Sequence, residues 1–144
     1  MLRVIAGLTA LVVGATIVLA QNTGAIKQRQ DLMKANAGAA KEPSAMAKGD
    51  APFDLAKIKA SLKAIQEQAA KLKDLWPDDS KTGETRALPA IWETKADFLA
   101  GFDKFAADAK AAESAIKDEA SLKAELPKVF ANCATCHKAY RRAN

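Results

Sequence analysis

The sequence predicts an all-α fold, an antiparallel four-helix bundle. Three observations carry that expectation. Helix formers dominate the composition, with aromatic residues at only 6%. Four segments repeat apolar residues at spacings of three and four, the signature of one buried helix face. The 7 glycines and 5 prolines fall in a few connections instead of recurring as strand punctuation, which argues against a β-sandwich. A chain of 144 residues suits one domain, and a bundle of this size can enclose a cofactor.

Residues 1–20 stand apart. Arg3 precedes an apolar run from Val4 to Leu19, and Val18-Leu19-Ala20 precedes Gln21. A short positive start, an apolar middle and a small-residue end describe a cleavable secretory signal peptide. The alternative is a retained anchor, because the run is close to the shortest that spans a bilayer. The bundle domain is then 21–144.

The first helix is expected over 22–42, with Ile26, Met33, Ala37 and Ala40 on one face. Pro43 should end it, since proline disfavours helix at the residue before it, and this places Met46 beyond the helix. The second helix, over 54–74, carries Leu55, Ile58, Leu62, Ile65, Ala69 and Leu72, with Asp54 as its N-cap. Trp76-Pro77 breaks the chain into a polar loop containing Gly83. A third, longer helix is expected over 88–116, with Ile91, Phe98, Phe102, Phe105 and Ala109 in line. After a linker from Lys117 to Ala120, the fourth helix covers 122–142. Its face holds Leu122, Leu126, Val129, Phe130, Cys133 and Cys136. Pro127 belongs to its first turn or marks a kink.

Without the leader the chain keeps 21 basic and 17 acidic residues, a net charge of +4. The signs are interspersed and no long basic run occurs, which describes a solvated helical surface, not a nucleic-acid-binding one. The sequence shows no catalytic acid pair, nucleophile–base arrangement or phosphate loop, so no enzyme activity is expected.

Asn132-Cys133-Ala134-Thr135-Cys136-His137 contains both cysteines and the only histidine. C-x-x-C-H is the attachment signature of a c-type haem. Two thiols add to the porphyrin vinyl groups, and the adjacent histidine reaches the iron from the same helical turn. The competing readings are weaker. A thioredoxin-like site expects a βαβ context. A zinc site needs further Cys or His ligands. A disulfide closing so short a loop stabilises little. Cys133 and Cys136 are therefore expected to hold one haem c covalently, with His137 as proximal iron ligand. For the other axial position the domain offers Met33, on the inward stripe of the first helix, and Met46.

The motif at the C-terminal end of a four-helix chain resembles the class II cytochromes c. The likeness extends over Arg29-Gln30-Asp31-Leu32-Met33-Lys34, Met46-Ala47-Lys48-Gly49, Leu75-Trp76-Pro77 and Ser80-Lys81-Thr82-Gly83. It continues through Leu88-Pro89-Ala90-Ile91-Trp92, Ile116-Lys117-Asp118 and Cys136-His137-Lys138-Ala139-Tyr140-Arg141. The resemblance implies an exported, periplasmic haem protein, often a homodimer through its first two helices. It also implies two subgroups. Low-spin cytochromes c-556 place a first-helix methionine on the iron, here Met33, and transfer single electrons to and from redox partner proteins. Cytochromes c′ leave the iron open to nitric oxide or carbon monoxide beneath an apolar side chain. Met33, and Asn36 where an apolar residue is common, favour the c-556 pattern. Arg29, Trp92, Tyr140 and Arg141 are the remaining haem-contact candidates. Arg29 and Arg141 are either propionate partners or solvated. Tyr140 replaces the more usual phenylalanine, and its hydroxyl needs a partner if buried.

Overall fold

The computed structural model describes residues 13–143, with side chains described from residue 23. The expected leader, 1–20, lies outside the described residues except for the backbone of its last eight, which is helical. Five helices follow in order: α1 (Val13–Lys48), α2 (Leu55–Lys73), a short α3 (Ala90–Glu93), α4 (Lys95–Ala115) and α5 (Glu119–Tyr140). The four long helices form a ring in which α1 packs on α2 and α5, and α4 packs on α2 and α5. The α1–α2 and α4–α5 connections are short, as an antiparallel bundle expects, while the α2–α4 connection is long and carries α3. Among the described residues the only β pairing is an isolated bridge between Ala87 and Arg141.

Three boundaries differ from the expectation. Helix α1 continues through Pro43 to Lys48, which puts Met46 inside the helix. The proline removes the amide that would bond the Ala39 carbonyl, a cost of about 3 kcal/mol in a helix interior. Two buried side chains beyond the break offset it. Pro43 is fully buried, and Met46 is only 5% exposed. Ser44 Oγ also donates to Ala40 O at 2.7 Å within the same turn. The helix stops instead at Gly49, whose φ of +84° suits glycine. There Asp50 N donates to Ala45 O at 2.9 Å and Gly49 N to Met46 O at 3.1 Å, the paired bonds of a Schellman end.

The third helix is split. Thr94 leaves helical geometry (φ −122°, ψ 46°) and separates α3 from α4, while its hydroxyl donates to Ala90 O at 3.0 Å. A threonine hydroxyl that bonds back to the preceding turn competes with the backbone ladder. Helix α5 begins earlier than expected, because Asp118 and Ser121 form a reciprocal capping box. Pro127 lies inside α5, beyond its first turn, with its ring exposed to solvent. At α2 the cap is as expected, with Lys57 N donating to Asp54 Oδ1 at 3.0 Å.

The core has two parts. One is aliphatic and built by all four long helices, with Met46, Ile58, Ile65, Ala112, Leu122 and Val129 among its members. The other is largely aromatic, formed by Ala69, Leu72, Trp76, Ile91, Phe98 and Phe102. Trp76 meets Phe98 edge-on at 4.6 Å between ring centroids, and Phe98 meets Phe102 at 5.2 Å, both favourable aromatic geometries. Arg29 of α1 locks the loop after α2 against this second part. It is 3% exposed and donates to Leu75 O at 3.1 Å, Ser80 Oγ at 2.7 Å and Ser80 O at 3.1 Å. Its guanidinium carbon lies 4.4 Å from the Trp76 ring centroid, a cation–π contact.

Two predictions follow from this packing. Arg29→Met leaves the Leu75 and Ser80 carbonyls without partners and should destabilise the holoprotein by about 2–3 kcal/mol in urea unfolding. Arg29→Lys should not restore it, because a single ammonium cannot reproduce the planar fork. The Asp118 carboxylate is held below its usual pKa, first by the backbone N–H of Ser121. A depressed folded-state pKa contributes stability above the unfolded value and loses it as pH falls through the folded one. The stability gap between wild type and Asp118→Ala should therefore be open near neutrality and narrow on acidification. A gap that is constant with pH would refute the charged cap.

Candidate haem site

The inward faces of α1 and α5 are not covered along their whole length. On α1, Ile26 and Arg29 are buried, Met33, Asn36 and Ala40 are only partly so, and burial resumes at Pro43. On α5, Leu122, Leu126 and Val129 are buried, while Cys136, His137 and Tyr140 are half-buried and Cys133 is exposed. These two stretches border one cavity of about 470 Å³, within the range of about 300–1,000 Å³ typical of ligand and cofactor pockets. The aromatic core, through Trp76, Phe98 and Phe102, supplies another of its walls.

Both cysteines are free and both line the cavity. Cys133 is exposed as a residue, but local desolvation of its sulfur, like that of Cys136, pushes the thiol above its usual pKa, and at Cys136 the neighbouring Cys133 adds to the effect. The thiols are thus held protonated, unlike the activated thiolates of disulfide-exchange sites. Among the described residues no group of three or more His, Cys, Asp or Glu side chains converges as a metal cluster. Asn132, just before the motif, anchors the attachment turn to α4 by donating to Asp108 Oδ2 at 2.7 Å.

His137 also lines the cavity. Burial, then the charges of Arg141 and Arg86, push its pKa below the usual range, which favours the neutral imidazole that ligation requires. Arg141 is exposed and places Nη1 3.3 Å from His137 Nδ1. A guanidinium only donates, so this contact uses the tautomer with its proton on Nε2. Ligation through Nε2 would put the proton on Nδ1, where Arg141 cannot accept it.

The last turn of α5 is strapped to the loop before α3. Leu88 N donates to Tyr140 O at 3.0 Å and Arg142 N to Arg86 O at 2.9 Å. Arg86 Nη2 in turn donates to Arg142 O at 2.8 Å. Tyr140 packs edge-on against Phe98 at 5.0 Å, and its hydroxyl finds a partner in Thr94 Oγ1 at 3.2 Å.

Met33 faces the same cavity from α1 and packs against the aromatic core. Met46 belongs to the aliphatic core instead. Arg29 borders the cavity but is neither solvated nor free, since its donors hold the Leu75–Ser80 loop. Trp92 does not line the cavity; its Nε1 donates to Pro77 O at 3.3 Å. The tryptophan that does is Trp76, which the sequence offered as a helix-breaking position and as part of the family resemblance but not as a haem contact. The adjacent proline masked it, and the apolar rhythm of α2 stops short of it.

Two buried polar atoms on the cavity wall have no partner, Trp76 Nε1 and Asn36 Oδ1. An unpaired buried donor in a native core calls for an explanation. A flat apolar group with carboxylate arms fits both the apolar lining and the orphan indole N–H. The residues present therefore fit a haem, with Cys133 and Cys136 to hold it and His137 and Met33 on the α5 and α1 sides.

Comparison with known proteins agrees with this geometry. The cytochrome C′ family pattern matches residues 24–141. A cytochrome c′ from Rhodopseudomonas palustris is 49% identical over 138 residues, 95% of this chain and 92% of that protein. A cytochrome c-556 from Agrobacterium fabrum is 36% identical over 119 residues, 82% of this chain and 81% of that one. The solved cytochrome c′ from Rhodopseudomonas palustris superposes with a TM-score of 0.82, at 49% identity over 83% of this chain and 97% of that chain. A nitric oxide complex of a cytochrome c prime variant from Alcaligenes xylosoxidans superposes with a TM-score of 0.75, at 28% identity over 85% and 97%. With a matching pattern over most of its length and a cavity shaped by its own C-x-x-C-H turn, the chain belongs to the cytochrome c′ family, the class II cytochromes c.

Proposed function

We propose that this chain carries single electrons through a haem c bound by Cys133 and Cys136 and ligated by His137 and Met33. The observation that carries the reading is that Met33 and His137 border one cavity from two different helices. When bound, the haem supplies the one-electron couple of its iron. The chain does the rest. Cys133 and Cys136 fix the group to one turn of α5, and Asn132 ties that turn to α4. Trp76, Phe98 and Phe102 keep water from one face. A thioether opposite an imidazole favours ferrous iron and raises the potential. Ligands already held by packed helices need little movement on electron transfer.

The family also supports a gas-binding reading, since one superposing relative is described as a nitric oxide complex. In this chain that reading requires Met33 to leave the iron open. The methionine is only half-buried, so the choice rests on whether its sulfur is bound. Export to the periplasm, with removal of residues 1–20, accompanies either reading, because c-type haem is attached outside the cytoplasm. No helix among the described residues is long and apolar enough to cross a membrane.

Spectroscopy separates the readings. The ferrous holoprotein should give sharp, split low-spin bands that carbon monoxide leaves unchanged. Met33→Ala should convert it to a high-spin form that binds carbon monoxide at once. A wild-type protein that takes up carbon monoxide immediately, or a Met33→Ala spectrum identical to wild type, would remove Met33 from the iron. Attachment is tested separately. Acidic acetone should extract no haem from the wild type and essentially all of it from the Cys133→Ala/Cys136→Ala double variant.

A further inference from the structure

Four charged side chains line the cavity, Arg29, Lys34, Arg86 and Arg141, and all four are cations. A chain with 17 carboxylates places none of them in that lining. The arginines at the mouth are also fixed in position without being neutralised. Arg86 is held by Arg142 O and Arg142 by Thr85 O at 3.2 Å, while Arg141 is exposed beside them. Backbone carbonyls orient these guanidinium groups but cancel none of their charge. Among the described residues, none of these arginines forms an ion pair, and neither do Lys34 or Lys138. Asp31, which feels the charge of Lys34, is taken up by Lys27 at 2.5 Å. The exposed Cys133 lies at this same opening.

Such a rim steers and orients a partner of opposite sign, acting mainly on the association rate. The two propionates of a bound haem would offset two charges and leave the rim net positive. We propose that Lys34, Arg86 and Arg141, which line the cavity, together with the exposed Lys138 and Arg142 beside Arg141 at the end of α5, form the docking surface for an acidic, single-electron redox protein. The step balances simply. One electron passes from the partner's reduced centre to the ferric iron, giving the oxidised partner and ferrous iron, and no proton or bond is exchanged. The proposal rests on the electron-transfer reading above and names its partner class.

The test uses the purified holoprotein and reduced plastocyanin, an acidic copper protein, as the probe. The rim is reversed in Lys34→Glu/Lys138→Glu. A charge-matched control, Lys59→Glu/Lys123→Glu, changes exposed positions beside the aliphatic core. Stopped-flow reduction should slow as salt is raised, and at low salt the rim variant should fall about tenfold, with the control within about twofold of wild type. Equal losses in both variants, or a wild-type rate indifferent to salt, would overturn the proposal, since net charge or no charge would then suffice. Binding to phosphatidylglycerol vesicles is measured in parallel. If the rim variant loses vesicle binding while its plastocyanin rate is unchanged, the face serves an anionic membrane and the proposal fails. Unaltered absorption spectra in both variants keep this result separate from the question of Met33 ligation.

Discussion

The structure depends on a mismatch between the length of two helices and the core available to cover them. Side chains of α2 and α4 bury the far ends of α1 and α5 but not the stretches around Met33 and His137. A bundle closed only by side chains would need larger residues there, and instead Ala37 and Ala40 occupy the α1 side. Small residues facing an apolar gap make sense only if something flat fills it. The attachment motif lies on the opposing stretch, so the group that completes the core is the one that carries the chemistry.

Most of the surrounding detail serves to keep that gap open and correctly shaped. Arg29 is a charged residue placed in the core, normally a costly choice. It is tolerated because three hydrogen bonds and the face of Trp76 compensate it. In return it fixes the loop that brings Trp76 to the cavity wall. On the other side, the strap between Tyr140, Arg142 and the loop around Arg86 prevents the last turn of α5 from fraying. A helix terminus is ordinarily the least stable part of a helix, and here that terminus carries His137, the proposed iron ligand.

Much of this was readable from the residues. The 3–4 apolar spacing locates every long helix, Asp54 caps α2 as its position implies, and the C-x-x-C-H turn points to the cavity that its residues line. The errors share one cause, tertiary burial overriding a local signal. Pro43 reads as a stop, yet its burial with Met46 outweighs the lost backbone bond. Thr94 carries no strong breaker signal, and the helix breaks there while its hydroxyl bonds back to Ala90 O. Trp76 precedes a proline and Trp92 follows one by three residues, and only packing decides which one reaches the cavity. The buried role of Arg29 was equally invisible, since its partners are the loop residues Leu75 and Ser80, far along the chain.

The division of the core into two parts bears on the order in which the molecule is made. The aliphatic half draws on all four long helices, and of its buried members only Ile65 borders the cavity. The aromatic half borders the cavity and is unfinished without a filler. A nascent chain can therefore assemble one end of the bundle while the turn bearing Cys133 and Cys136 stays accessible at the other. A haem held by that turn would complete the aromatic half of the core as it is attached.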